Sequence, residues 1–137
     1  MSDAPDIYFN HEKLRVYSEA IEFIGWLSNL LEHVPRSGDV KDQLNRAAES
    51  VALNIAEGNG KYSAKDRCRF FDIAHGSALE CAAGLDILVA RTKLGVETIR
   101  DGKQRLKNIV EMLIGLIKKN SSREYERAEQ PDHNRVC

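Results

Sequence analysis

Apolar residues recur along this chain at intervals of three and four, interrupted by clusters of turn formers, and nowhere alternate over the length of a strand. The pattern predicts four helices. The first covers about residues 10–34, opened by Asn10 as a cap and ended by Pro35. Leu14, Tyr17, Ile21, Ile24 and Leu31 form one apolar face and are assigned to the core. A second stripe, Val16, Phe23, Leu27, Leu30 and Val34, projects about 90° or more from the first, so the helix is apolar over more than half its circumference. That second stripe exceeds one bundle seam and is assigned to contact between subunits.

After the PRSGD turn, with Asp39 as its cap, a second helix is predicted over 39–57, stopped by Gly58. Val40, Leu44, Ala47, Val51 and Ile55 make its core stripe. Ala48, Ala52 and Ala56 form a flanking ridge of small side chains that permits close approach and offers a flat surface to a neighbouring subunit. The opposite flank carries Gln43, Ser50, Asn54 and Glu57. The glycines of the GNGKY loop tolerate positive φ, and Ser63 with Asp66 resembles a capping box for a third helix over 63–93. Its stripe is Phe70, Ile73, Ala74, Ser77, Cys81, Leu85 and Leu88, which makes Cys81 a core residue and puts Cys68 on the opposite, exposed side. Gly95 breaks the chain before a fourth helix over 96–119, marked by Ile99, Leu106, Ile109, Val110, Leu113 and Ile117. Residues 1–9 read as a flexible N-terminus and 120–137 as a disordered, polar tail of mixed charge. Short links between long helices favour antiparallel neighbours, so the expected architecture is all-α, an up-down-up-down four-helix bundle spanning 10–119.

Composition adds exclusions. The chain has 137 residues, 42% hydrophobic and 30% charged, which fits one globular domain with its own core. The opening MSDAPDIYFN lacks a basic segment leading into an apolar run, so no secretory signal and no membrane span are expected, and a cytoplasmic location is the default. Three cysteines without CxxC spacing and four histidines without HxxxH or ExxH spacing point to no disulfide framework, metal site or cofactor. With 20 basic and 21 acidic residues the net charge is −1, so any affinity for a phosphate backbone must come from a local patch.

The segment QLNRAAESVALNIAEGNGKYS, followed by FFDIAHGSALE, carries a set of polar and glycine positions, Arg46, Ser50, Asn54, Glu57, Gly58, Gly60, Ser77 and Glu80, read as a structural motif. Over roughly residues 10–119 it resembles the four-helix-bundle proteins encoded in intervening sequences of bacterial 23S ribosomal RNA genes. The resemblance implies a left-handed antiparallel bundle, a homopentamer and no established enzymatic activity. A related accessory protein of diversity-generating retroelements, similar in fold, is strongly basic and binds nucleic acid; the net charge of −1 sets the present chain apart from it.

Two sharper chemistries compete with a packing role. Glu57 and Glu80 beside Asn54 resemble a carboxylate pair for acid-base or di-metal chemistry, but neither glutamate has a histidine three residues later, as the bundle di-metal pattern requires. A seam in which Arg46 or Asn54 satisfies the carboxylates explains them better. Lys61, Lys65, Arg67 and Arg69, interleaved with Tyr62, Phe70 and Phe71, form a candidate nucleic-acid rim. The reading that follows is a non-enzymatic protein with an assembly or scaffolding role, a cyclic homo-oligomer without a small-molecule substrate. An RNA- or DNA-binding accessory factor is the first alternative and a metal-binding or enzymatic bundle the second.

Overall fold

The computed structural model describes residues 6–35 and 38–128, which form four α-helices and two short 3-10 turns, with no β-strand among them. The predicted first helix is divided. Asn10–Lys13 is a 3-10 turn, Leu14 is extended (φ −76°, ψ 127°), and α1 runs Arg15–Glu32. The division follows from Glu12, whose carboxylate accepts the backbone N–H groups of Tyr8 (2.7 Å) and Phe9, making Phe9 the cap in place of Asn10.

The second helix, α2, spans Val40–Asn59 and passes through Gly58 without stopping. Gly58 is needed for space: a Cβ there would lie 2.9 Å from a ring carbon of Phe71 and 3.0 Å from the Cβ of Phe70. Gly60 caps the helix at φ −86°, so positive φ is not what this loop asks of it. Helix α3, Ala64–Thr92, starts as expected with the Ser63 hydroxyl accepting the Asp66 N–H at 3.0 Å. It ends on Lys93, which adopts the left-handed conformation (φ 64°), two residues before the expected break at Gly95. A 3-10 turn, Val96–Ile99, leads into α4, Arg100–Ala128. Residues 120–128 are therefore helical where a structureless tail was expected; 129–137, with Cys137, lie outside the described residues.

Helix α1 packs on α2 and α4, and α3 packs on the same two helices from the other side. The core corrects the assignment of faces on α1. Val16, Phe23, Leu27 and Val34 are buried within the chain and Leu30 packs partly buried against the same core, so the stripe assigned to subunit contact is the intramolecular seam. Ile21, assigned to the core, is 46% exposed, while Leu14, Tyr17 and Ile24 are only partly buried. The cause is Ala20. It completes a run at 16, 20, 23, 27, 31 and 34 with the three-four spacing of one helical face, but its small side chain adds little to an apolar pattern. The alanine ridge is corrected in the same way: Ala48 and Ala52 are core residues and Ala56 is partly buried, leaving no free flat surface there.

On α3 the stripe lies one residue later than expected at its start. Phe71 and Cys68 are buried, Phe70 is half-buried and Ile73 is exposed, so Cys68 belongs to the core and not to the outer side. Its thiol donates to the Ile117 carbonyl of α4 at 3.5 Å. This helix has a window of mean hydropathy 1.4 and is the one helix among the described residues long and apolar enough to cross a membrane by length and composition. Its apolarity also serves the bundle, since α3 presents side chains to α2 on one flank and α4 on the other. Elsewhere the expected α2 stripe (Val40, Leu44, Ala47, Val51, Ile55) is buried throughout, as are Ile99, Leu106, Ile109, Leu113 and Ile117 of the last segment. Each large aliphatic or aromatic side chain in this set contributes about 1.5–3 kcal/mol of transfer free energy.

Candidate functional site

The regularly spaced polar residues of α2 separate once folded. Ser50 and Ser77 face each other across α2 and α3, their hydroxyl oxygens 2.7 Å apart, and the Asn54 amide donates to the Ser50 carbonyl at 2.8 Å and to its hydroxyl at 3.0 Å. Short polar side chains here let two helices approach closely while satisfying one another. Arg46, Glu57 and Glu80 stand exposed outside this seam. The carboxylates thus have neither Arg46 nor Asn54 as the expected partner; Glu57 lies 4.0 Å from Lys61 instead. Among the described residues no group of three or more His, Cys, Asp or Glu side chains converges as a metal site would require. Burial, and secondarily the neighbouring Glu80 carboxylate, pushes the Cys81 thiol up to about 12. A thiol held neutral and enclosed is a packing group, not a nucleophile.

The basic residues after α2 divide into two roles. Arg67 points inward: its Nη1 donates to the Asn59 carbonyl at 2.8 Å, its Nε to the Asn120 side-chain oxygen at 3.1 Å, and its guanidinium lies 5.8 Å from the Phe71 ring centre. Asn120, 3% exposed, donates in turn to the Leu116 carbonyl at 2.7 Å. Arg67 therefore fastens the end of α2 and the start of α3 to α4, which removes it from the candidate nucleic-acid rim. Lys61 and Arg69 remain outside, 5.0 and 5.1 Å from the Phe70 ring centre, with Lys65 and the fully exposed Tyr62 beside them. Asn120 escaped the sequence reading because it begins a polar run. The available signal was its position three residues after Ile117 and seven after Leu113, on the buried face of α4.

A further feature was not visible in the sequence. Between α3 and α4 lies an open groove of about 620 Å³, floored by Ala78, Ala82, Leu106 and Val110 and edged by Leu79 and Val96, which are 50% and 58% exposed. Its rim carries Arg100, Lys103, Gln104 and Lys107 of α4, with Lys103 paired to Asp86 of α3 at 2.7 Å. The charged and amide side chains of the rim all come from α4, with Asp86 opposite them on α3, and none of them converges on the apolar floor. On the other side of α4 a smaller cleft, about 290 Å³, separates Leu14 and Val16 from Met112 and Leu116.

No curated protein matches this chain. Among solved structures it is similar to a protein of unknown function from the S23 ribosomal protein family of Bacteroides thetaiotaomicron, at 24% identity and a TM-score of 0.69, over 75% of this chain and 98% of that one. This likeness concerns the fold. The model of the family described as 23S rRNA-intervening sequence protein matches residues 12–115, which include α1 to α3 entire, the Ser50–Ser77 seam, Arg67 and all the residues lining the groove. The chain belongs to the 23S rRNA-intervening sequence protein family.

Proposed function

We propose that this protein is a non-catalytic assembly element that associates with copies of itself through the α3–α4 face. Its four helices are read as an antiparallel up-down-up-down bundle with a left-handed coil. Contacts between opposite parts of neighbouring helices support that order: Arg67 at the start of α3 with Asn120 late in α4, and Trp26 late in α1 over Gly102 early in α4. The observation carrying the functional reading is the groove, an apolar floor with charge confined to its edges and two large aliphatic side chains left exposed beside it. The stripe on α1 first assigned to assembly is buried, so self-association needs another surface, and this one is open. A contact between two unlike patches closes into a ring when its rotation allows.

Light scattering of the full chain tests the reading. Wild-type mass should exceed that of one 15.4 kDa chain, and Leu79→Asp combined with Val96→Asp should reduce it without loss of helical circular dichroism. A wild type of single-chain mass, or a double variant of undiminished mass, refutes it.

One observation favours a second reading, an accessory factor for nucleic acid: Lys61, Lys65 and Arg69 surround Phe70 and Tyr62 at one end of α3. If RNA binds there, changing these three cations to Glu should abolish gel retention and Arg67→Met should leave it intact. Absence of retention by the wild type at low salt removes this reading.

A further inference from the structure

The segment preceding α1 has an unusual combination of exposure and order. Ile7, Tyr8 and Phe9 are 53%, 76% and 66% exposed, three consecutive large apolar side chains turned to solvent. Yet Tyr8 and Phe9 are held in place. The Glu12 carboxylate accepts both the Tyr8 and Phe9 N–H groups, Phe9 stacks on His11 with 6.0 Å between ring centres, and His11 meets the Tyr17 ring edge-on at 4.7 Å. The Tyr8 hydroxyl also donates to Asp6 at 3.3 Å. Those backbone hydrogen bonds hold the Glu12 carboxyl below its usual range, a sign that the ionised side chain favours the pinned form. Fixing apolar side chains in water gains nothing for the isolated chain, whereas it lowers the ordering cost of a later contact.

The groove between α3 and α4 has the complementary character. Its floor is apolar, and its rim bears exposed Arg100 and Lys107, which form no ion pair among the described residues. The arm is acidic where the rim is basic: Asp6 directly precedes the apolar triplet. A chain cannot fill its own groove in this way. The 3-10 turn bearing the arm packs on α1 and α2, whereas the groove opens between α3 and α4.

We propose that the groove between α3 and α4 receives the Ile7–Phe9 arm of a neighbouring copy, with the partner's Asp6 set against Arg100 and Lys107. The inference deepens the assembly reading and rests on it, naming the occupant of the same surface. The contact joins two unlike patches, so each subunit offers one arm and one groove, a head-to-tail link that can close into a ring. Aromatic anchors seated in an apolar trough, flanked by opposite charges, are the usual composition of an interface centre and rim.

Complementation between two full-length variants tests it. Tyr8→Asp with Phe9→Asp alters only exposed side chains and breaks the arm; Arg100→Glu with Lys107→Glu breaks the rim and leaves the core untouched. Each variant alone should fall to the 15.4 kDa of a single chain while keeping its helical circular dichroism, and the two mixed should form a species of twice that mass, because one arm and one groove remain intact between them. If wild type is larger than one chain but the arm variant keeps the full mass, the arm is not the occupant and the assembly reading survives. Wild type of single-chain mass overturns both. A mixture that stays monomeric overturns the pairing of arm with groove.

Discussion

Replacing Arg67 with methionine separates a packing role from a nucleic-acid role for the basic loop. Methionine retains an unbranched apolar stem and removes the guanidinium, together with its approach to the Phe71 ring. The Asn120 side-chain oxygen, at a residue 3% exposed, then loses its donor, at a cost of about 1–3 kcal/mol for a buried acceptor left unmade. The Asn59 carbonyl loses a charge-assisted bond, but its half-buried position admits water, so this adds only about 0.5–1 kcal/mol. The sum is about 1.5–4 kcal/mol, a large share of the stability of a domain this size. Urea unfolding followed by far-ultraviolet circular dichroism, at fixed protomer concentration, measures it directly. Lys65→Met and Arg69→Met, which alter exposed side chains, should each stay within about 0.5 kcal/mol of wild type. Adding Asn120→Leu to Arg67→Met should cost less than the two changes separately, with a coupling of about 1–2 kcal/mol. An Arg67→Met protein within about 0.5 kcal/mol of wild type, or strict additivity in the cycle, refutes the assignment of Arg67 as the link between α2, α3 and α4.

Three further outcomes follow from packing and protonation. Gly58→Ala should lose about 0.5–2 kcal/mol in urea unfolding, because crowding against Phe71, which is fully buried, outweighs a helix-propensity gain of about 1 kcal/mol; Gly76→Ala, whose new Cβ meets nothing within 4 Å, should gain about 0.5–1 kcal/mol. In a Cys137→Ser background a thiol reagent at neutral pH should label neither Cys68 nor Cys81 until the chain unfolds. The raised Cys81 value means that the stability its neutral thiol lends is complete below the ordinary value of 9.0 and declines as pH rises toward about 12. The Glu12 carboxyl is shifted the other way, so its hold on the arm is complete above 4.5 and is lost as pH falls through its lower folded value. The amide resonances of Tyr8 and Phe9 should titrate together with a midpoint below 4.5, and Glu12→Gln should reproduce their acid positions at neutral pH.

The sequence by itself determined the four helices, the position of every connection to within a few residues, the Ser63 cap, and the core faces of α2 and α4, because three-four spacing and turn chemistry are local properties. It also carried the family, through the polar and glycine positions of α2 and α3. It did not determine which of two apolar stripes on α1 turns inward. Both have helical spacing, and the choice depends on whether Ala20 or Ile21 fits against α2 and α4, a matter of side-chain volume across helices far apart in sequence. Cys68 and Phe71 were hidden for a related reason: their partners are far away in sequence, the Ile117 carbonyl and Ser121 hydroxyl of α4 for Cys68 and the Gly58 position of α2 for Phe71. Arg67 looked like a surface cation because a guanidinium shows its destination only when Asn120, 53 residues later, is brought beside it. The groove exists only between α3 and α4, so it was a product of tertiary packing even though its basic rim residues lie on one helix, and residues 1–9 read only as a flexible terminus until the fold set the Glu12 carboxylate against the Tyr8 and Phe9 N–H groups.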